Sequence, residues 1–145
     1  MHILVVGGGM GGTILANNLA RRLSGELEQG SSKITMLSAS DKHMYQPGLL
    51  YVAVGKMSTS ELYRDQKSLL EPSIDFHVDP VEKFDLDNNS VTTKSGKKIS
   101  YDILCIATGS RGHAEGIPGL AENSCQFYTE ADAVAMYKKL SKFEG

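Results

Sequence analysis

Six residues near the N-terminus, Gly7-Gly8-Gly9-Met10-Gly11-Gly12, carry the strongest chemical signal in the sequence. They follow a short apolar run, His2-Ile3-Leu4-Val5-Val6, and precede Ile14, Leu15, Leu19 and Leu23, which recur at helical spacing. Gly7, Gly9 and Gly12 fit G-x-G-x-x-G between strand and helix. In such a turn the first glycine allows the tight bend and the second lets the backbone approach a phosphate. The third lets helix and strand pack closely. Unpaired N–H groups and the dipole at the helix N-terminus then favour an anion. The chemistry is the binding of a dinucleotide pyrophosphate. The alternative, a glycine turn without a ligand, must explain five glycines in six positions.

Sites of this kind usually place a carboxylate at the end of the second strand. Here that position is Ser38, in Leu37-Ser38-Ala39-Ser40-Asp41. A serine hydroxyl bonds a ribose more weakly than a carboxylate does. Asp41 is either a substitute from the loop or a turn-forming aspartate. Further on, Tyr101 to Ala107 reads as a buried strand running into Ala107-Thr108-Gly109, where small residues let the backbone approach a bound nucleotide. The two cysteines form no Cys-x-x-Cys pair: Cys105 sits mid-strand among apolar neighbours and reads as core, and Cys125 lies in a loop. His2, His43, His77 and His113 show no metal-ligand spacing, and His43 reads as a surface loop residue.

Several elements must position these residues. A strand over 2–6, a helix to about Leu23 and a strand over Lys33 to Ser38 make a βαβ unit, with a polar stretch from Glu26 to Ser32 between the last two. Tyr45 to Tyr51 reads as a loop with a short helical turn. Ser58-Thr59-Ser60-Glu61 opens a helix whose face is Leu62, Leu69 and Leu70, ended by Pro72. Ile74 to Val78, Val81 to Leu86 and Ser90 to Thr93 read as a small antiparallel meander, punctuated by Asp87-Asn88-Asn89 and Ser95-Gly96. Thr129 caps a last helix running through Lys142. A net charge of −2 and the lack of a basic stripe argue against nucleic acid. No apolar run approaches the ~20 residues of a membrane span, and no secretory signal is recognisable. A cytosolic, reducing compartment is the expectation.

With these motifs placed, the chain resembles the N-terminal FAD domain of the flavoproteins that carry two dinucleotide-binding domains, the pyridine nucleotide-disulfide oxidoreductase superfamily. Within it the chain is most similar to sulfide:quinone oxidoreductase. The resemblance rests on Val5 to Gly12, Ile34 to Asp41, and Tyr101 to Gly109 followed by Ile117-Pro118-Gly119. Leu37-Ser38-Ala39-Ser40-Asp41 is the more discriminating part, because that family often carries serine where many relatives carry glutamate. The expected fold class is therefore α/β: a Rossmann-like FAD-binding domain, a mostly parallel sheet with an inserted small antiparallel β-meander. The resemblance implies that Gly9, Met10, Gly11 and Gly12 meet the pyrophosphate of FAD, and Ser38 and Ala39 the adenosine ribose. It places Pro47 near the isoalloxazine, unless that proline only stiffens its loop. Val81 would offer its backbone to adenine while serving as a core strand residue. Ala107, Thr108 and Gly109 would close over the middle of the cofactor.

The implied activity is electron transfer from sulfide to quinone, with peripheral membrane association on the inner face through a C-terminal region. Cys125 is the candidate catalytic cysteine. Aligning the last helix puts the family's cysteine at Tyr128 instead, which favours an ordinary loop cysteine at Cys125. His43 to Tyr51 is similar to the flavin-facing loop of type II NADH dehydrogenases, so NADH is the alternative donor. A free-standing nucleotide-binding module is the third reading. Residues 1–145 are expected to be a fragment of a longer flavoprotein and, in isolation, to bind FAD weakly or not at all.

Overall fold

The N-terminal apolar run forms β1 (His2–Val6), and its side chains alternate between two cores. In a computed structural model, which describes residues 1–112 and 116–144, Ile3 and Val5 face one helix and Leu4 and Val6 face the opposite side of the sheet. His113 lies outside the described residues. The chain divides into two units, Met1–His43 with Arg64–Gly109, and Met44–Tyr63 with Ser110–Gly145.

In the first unit β1 leads through the glycines to α1 (Met10–Arg22), a second short helix α2 (Ser24–Glu28) and β2 (Lys33–Ser38). The helical turn of α2 replaces part of the expected polar stretch, because Leu27 packs against the core beneath it. The face that α1 buries differs from expectation as well. Gly12, Thr13, Ala16 and Ala20 are buried, whereas Ile14 is 54% and Leu15 36% exposed. Only small side chains fit where this helix lies close on the sheet, so the larger residues are turned outward.

Two short strands, β3 (Lys42–Met44) and β4 (Tyr63–Asp65), pair as a ribbon. The helix expected from Ser58 does not form. A single 3₁₀ turn over Thr59–Leu62 carries the Ser58/Glu61 capping box, and β4 and a second 3₁₀ turn over Lys67–Leu69 follow. Its leucines belong to different cores: Leu62 is buried in the second unit, while Leu70 packs in the first.

The strand β5 (Ile74–Val78) pairs parallel with β2, Ile34 opposite Ile74, and so belongs to the main sheet and not to the meander. The meander itself is β6 (Val81–Asp85), β7 (Ser90–Thr93) and β8 (Lys98–Ser100), all antiparallel. Its Val91, with Tyr101, covers Leu4, Val6 and Leu37. Last comes β9 (Ile103–Ile106), parallel to β1, giving the order β5-β2-β1-β9. The apolar strand expected to be buried is thus an edge among the described residues, with Ile103 44% and Ile106 57% exposed. The α/β class, the parallel sheet and the inserted meander are as expected.

The second unit packs α3 (Gly48–Ala53) and α5 (Glu130–Leu140) around Leu49, Val52, Ala53, Leu62 and Ala133, with the short α4 (Leu120–Asn123) between them in the chain. Thr129 and Asp132 form a reciprocal capping box at α5. Among the described residues no helix is long and apolar enough to cross a membrane.

Candidate dinucleotide site

The glycine loop lies at the C-terminal ends of β1 and β2, where open α/β sheets place their ligands. Gly7 N–H donates to Leu37 O at 2.8 Å, and Ala107 N–H to Val6 O at 2.7 Å, so the loop is fastened on both sides. The five glycines then fall into two groups. A Cβ on Gly7, whose φ is +115°, would collide with the carbonyl of Ala107. One on Gly12 would collide with the carbonyl of Gly7, and one on Gly8 would lie 2.6 Å from Ser38 Oγ and 3.4 Å from Gln66 Cδ. These three are required by the protein's own packing. Gly9 and Gly11 have nothing within 4 Å of a Cβ, so their bareness answers no internal contact.

Gly9 is the N-cap of the thirteen-residue α1, and no side chain caps that end. The first N–H groups of a helix have no intrahelical partner, so this N-terminus presents donors beside the two glycines that leave open space. The cradle fits a pyrophosphate: bare backbone, free donors and the positive end of the helix dipole.

The other expected residues are placed unevenly. Ala107 is brought directly against Gly7 and Gly12, and Gly109 takes φ +79° just beyond it. Ser38 is buried under Gly8, with its Oγ accepting from Ser40 N–H at 3.3 Å. Ala39 and Asp41 are exposed beyond it, and Asp41 accepts from Gln66 N–H at 2.7 Å through its backbone carbonyl. Val81 pairs with Thr93 and packs with Leu4, Val6 and Leu37, as a core residue should.

Pro47 and Cys125 belong to the second unit. Pro47 is the N-cap of α3. Cys125 is free and exposed, lining a cavity of about 210 Å³ with Ser124, Gln126, Asp132, Met136 and Lys139. Tyr128 bonds Ser110 Oγ at 2.6 Å through its hydroxyl, and that bond, with one to Gln46, holds the phenol below its usual range. Tyr63 donates to Glu130 Oε2 at 2.5 Å, which with burial pushes its phenol up.

Sequence reasoning missed a polar cluster beneath the loop. Gln66 is fully buried, and its Nε2 donates to Thr13 Oγ1 at 2.9 Å. Thr13 Oγ1 donates to Gly8 O at 3.2 Å. His43, expected on the surface, is half-buried on β3, with Nδ1 3.1 Å from both Gly8 O and Gln66 Oε1. Thr13 alone had a local signal, its place directly after Gly12.

The model of the pyridine nucleotide-disulphide oxidoreductase family matches residues 1–142. Sulfide-quinone reductase of Aquifex aeolicus (strain VF5) is 37% identical over 142 residues, covering 97% of this chain and 31% of that protein. The crystal structure of the sulfide:quinone oxidoreductase from Aquifex aeolicus superposes with a TM-score of 0.79 at 33% identity, covering 97% of this chain and 32% of that one. An alternative NAD(P)H-ubiquinone oxidoreductase of Arabidopsis thaliana is 27% identical over 158 residues, covering 99% of this chain and 30% of that protein. The chain therefore spans about a third of the length of these relatives. With its glycine cradle at the strand ends and the family match running from residue 1 to residue 142, the chain belongs to the pyridine nucleotide-disulphide oxidoreductase family.

Proposed function

We propose that residues 1–145 are the N-terminal FAD-binding part of a flavoprotein oxidoreductase that takes electrons from sulfide and delivers them to quinone. The observation that carries this reading is the 37% identity to the Aquifex aeolicus sulfide-quinone reductase over 97% of the chain. FAD bound here supplies the two-electron acceptor between donor and quinone. The chain's own part is binding and orientation. The backbone of Gly9, Met10, Gly11 and Gly12 holds the pyrophosphate, with Gly7 shaping the turn. Ser38, Ala39 and Asp41 border the ribose, and the Val81 backbone meets adenine. Ala107, Thr108 and Gly109 close over the middle of the cofactor, and Pro47 lies near the isoalloxazine. Cys125 is exposed and free and is the candidate sulfur carrier, while its place in the loop favours an ordinary cysteine. Peripheral attachment to the inner face of the cell membrane would come from sequence beyond these residues.

The similarity to the NAD(P)H-ubiquinone oxidoreductase supports a second reading, with NADH as donor. Anaerobic titration of the full-length protein separates the two. Sulfide is expected to bleach the oxidised flavin, and added quinone to restore it. Bleaching by NADH alone would reject sulfide as donor, and bleaching by neither would favour a nucleotide-binding module without turnover.

A further inference from the structure

The carbonyl of Gly8 is held by the side chains of Thr13, close by in sequence, and His43, which is distant, and those contacts set the direction of the neighbouring peptide. His43 Nδ1 lies 3.1 Å from Gly8 O, 3.1 Å from Gln66 Oε1 and 3.5 Å from Thr13 Oγ1. Gly8 O can only accept. Gln66 spends its Nε2 on Thr13 Oγ1, which leaves its oxygen towards His43. Thr13 gives its single proton to Gly8 O, so towards His43 it too presents a lone pair. Three acceptors therefore surround Nδ1, and it must carry the proton. Turning the Gln66 amide over would place its NH₂ against Nδ1, but would leave the imidazole lone pair pointing at Gly8 O.

The Gly8–Gly9 peptide is trans and planar, so its N–H points opposite to its C=O. With Gly8 O drawn inward to His43 and Thr13, Gly9 N–H is turned away from that cluster. Two adjacent glycines offer little steric resistance to a peptide flip. A flipped peptide would present the Gly8 carbonyl where the Gly9 N–H now points. There it would repel an anion instead of donating to it.

We propose that His43 is a positioning residue for the dinucleotide site: its Nδ1–H locks the Gly8 carbonyl and thereby keeps Gly9 N–H presented to the pyrophosphate. Gln66 and Thr13 complete the lock, Gln66 by accepting from the same Nδ1–H and Thr13 by a second bond to the carbonyl. The proposal rests on the reading of the glycine loop as a pyrophosphate site.

The test compares ADP with adenosine, two probes that differ in the pyrophosphate, on the full-length protein stripped of flavin. His43→Leu is expected to weaken ADP binding about tenfold while changing adenosine binding less than about twofold. His43→Asn, whose side-chain N–H can occupy the Nδ1 position, is expected to restore ADP binding to within about threefold. Equal losses for ADP and adenosine, or no loss, would overturn the proposal. A purely structural role for His43 would give the first of those results. A wild-type protein that binds ADP no better than adenosine would overturn the pyrophosphate reading itself, and the proposal with it. Histidine side-chain ¹⁵N spectra of the wild-type protein need no variant. They should show His43 as the Nδ1–H tautomer, and an Nε2–H tautomer would contradict the lock.

Discussion

Gly12→Ala is expected to destabilise the protein by at least about 3 kcal/mol, although alanine is normally the better helix residue. At an exposed helical position the exchange would gain up to about 1 kcal/mol. Here the new methyl group would collide with the carbonyl of Gly7, whose own position is fixed by its hydrogen bond to Leu37 O. Relief requires α1 to move off the sheet, which would open the packing of Thr13, Ala16 and Ala20. The collision outweighs the propensity gain. Gly7→Ala should cost at least as much, because a Cβ there meets the Ala107 carbonyl and the backbone holds φ at +115°. For a domain of this size 1 kcal/mol corresponds to roughly 2–4 °C, so thermal unfolding should shift down by about 6 °C or more. An unchanged midpoint for Gly12→Ala would mean that the loop is not packed as described.

The opposite result is expected one residue earlier. Gly11→Ala should stabilise the folded protein by about 0.5–1 kcal/mol, since it adds a good helix former to the first turn of α1. Nothing lies within 4 Å of the added methyl group. In the proposed site the same group would take up part of the open space beside the helix N-terminus that the pyrophosphate would occupy. Charge-assisted hydrogen bonds contribute about 1.5–3 kcal/mol each, so weakening one should lower FAD affinity about tenfold to a hundredfold. Stability and affinity would then move in opposite directions at Gly11, and fall together at Gly12. Unaltered FAD binding by Gly11→Ala would place the cofactor elsewhere.

The βαβ start was legible because two local signals coincide there, a glycine turn and a change from continuous apolarity to helical spacing. The buried face of α1 was not. Leucine and isoleucine marked one side, whereas close approach to the sheet demanded Gly12, Thr13, Ala16 and Ala20. The strand at Ile74 was recognisable, but its partner was not, since pairing with β2 is a contact between residues forty apart in the sequence. Tyr101 to Ala107 showed its apolarity and could not show that β9 would be an edge. Among the glycines, spacing identified Gly7, Gly9 and Gly12 without separating those that serve packing from those that leave room for a ligand. Only the positions of Ala107, Ser38, Gln66 and the Gly7 carbonyl make that division. His43 and Gln66 gave no signal, because each lies in an irregular stretch and acquires its role only when β3 and β4 bring it beneath Gly8.

In the proposed site the cradle over Gly9 and Gly11 holds the pyrophosphate of FAD. Acid release and mass analysis of the small molecule carried by the purified full-length protein tests this most directly. The expected result is FAD at one molecule per chain, reduced in Gly11→Ala protein that remains folded. Recovery of FMN, of NAD alone, or of no nucleotide from folded wild-type protein would contradict it.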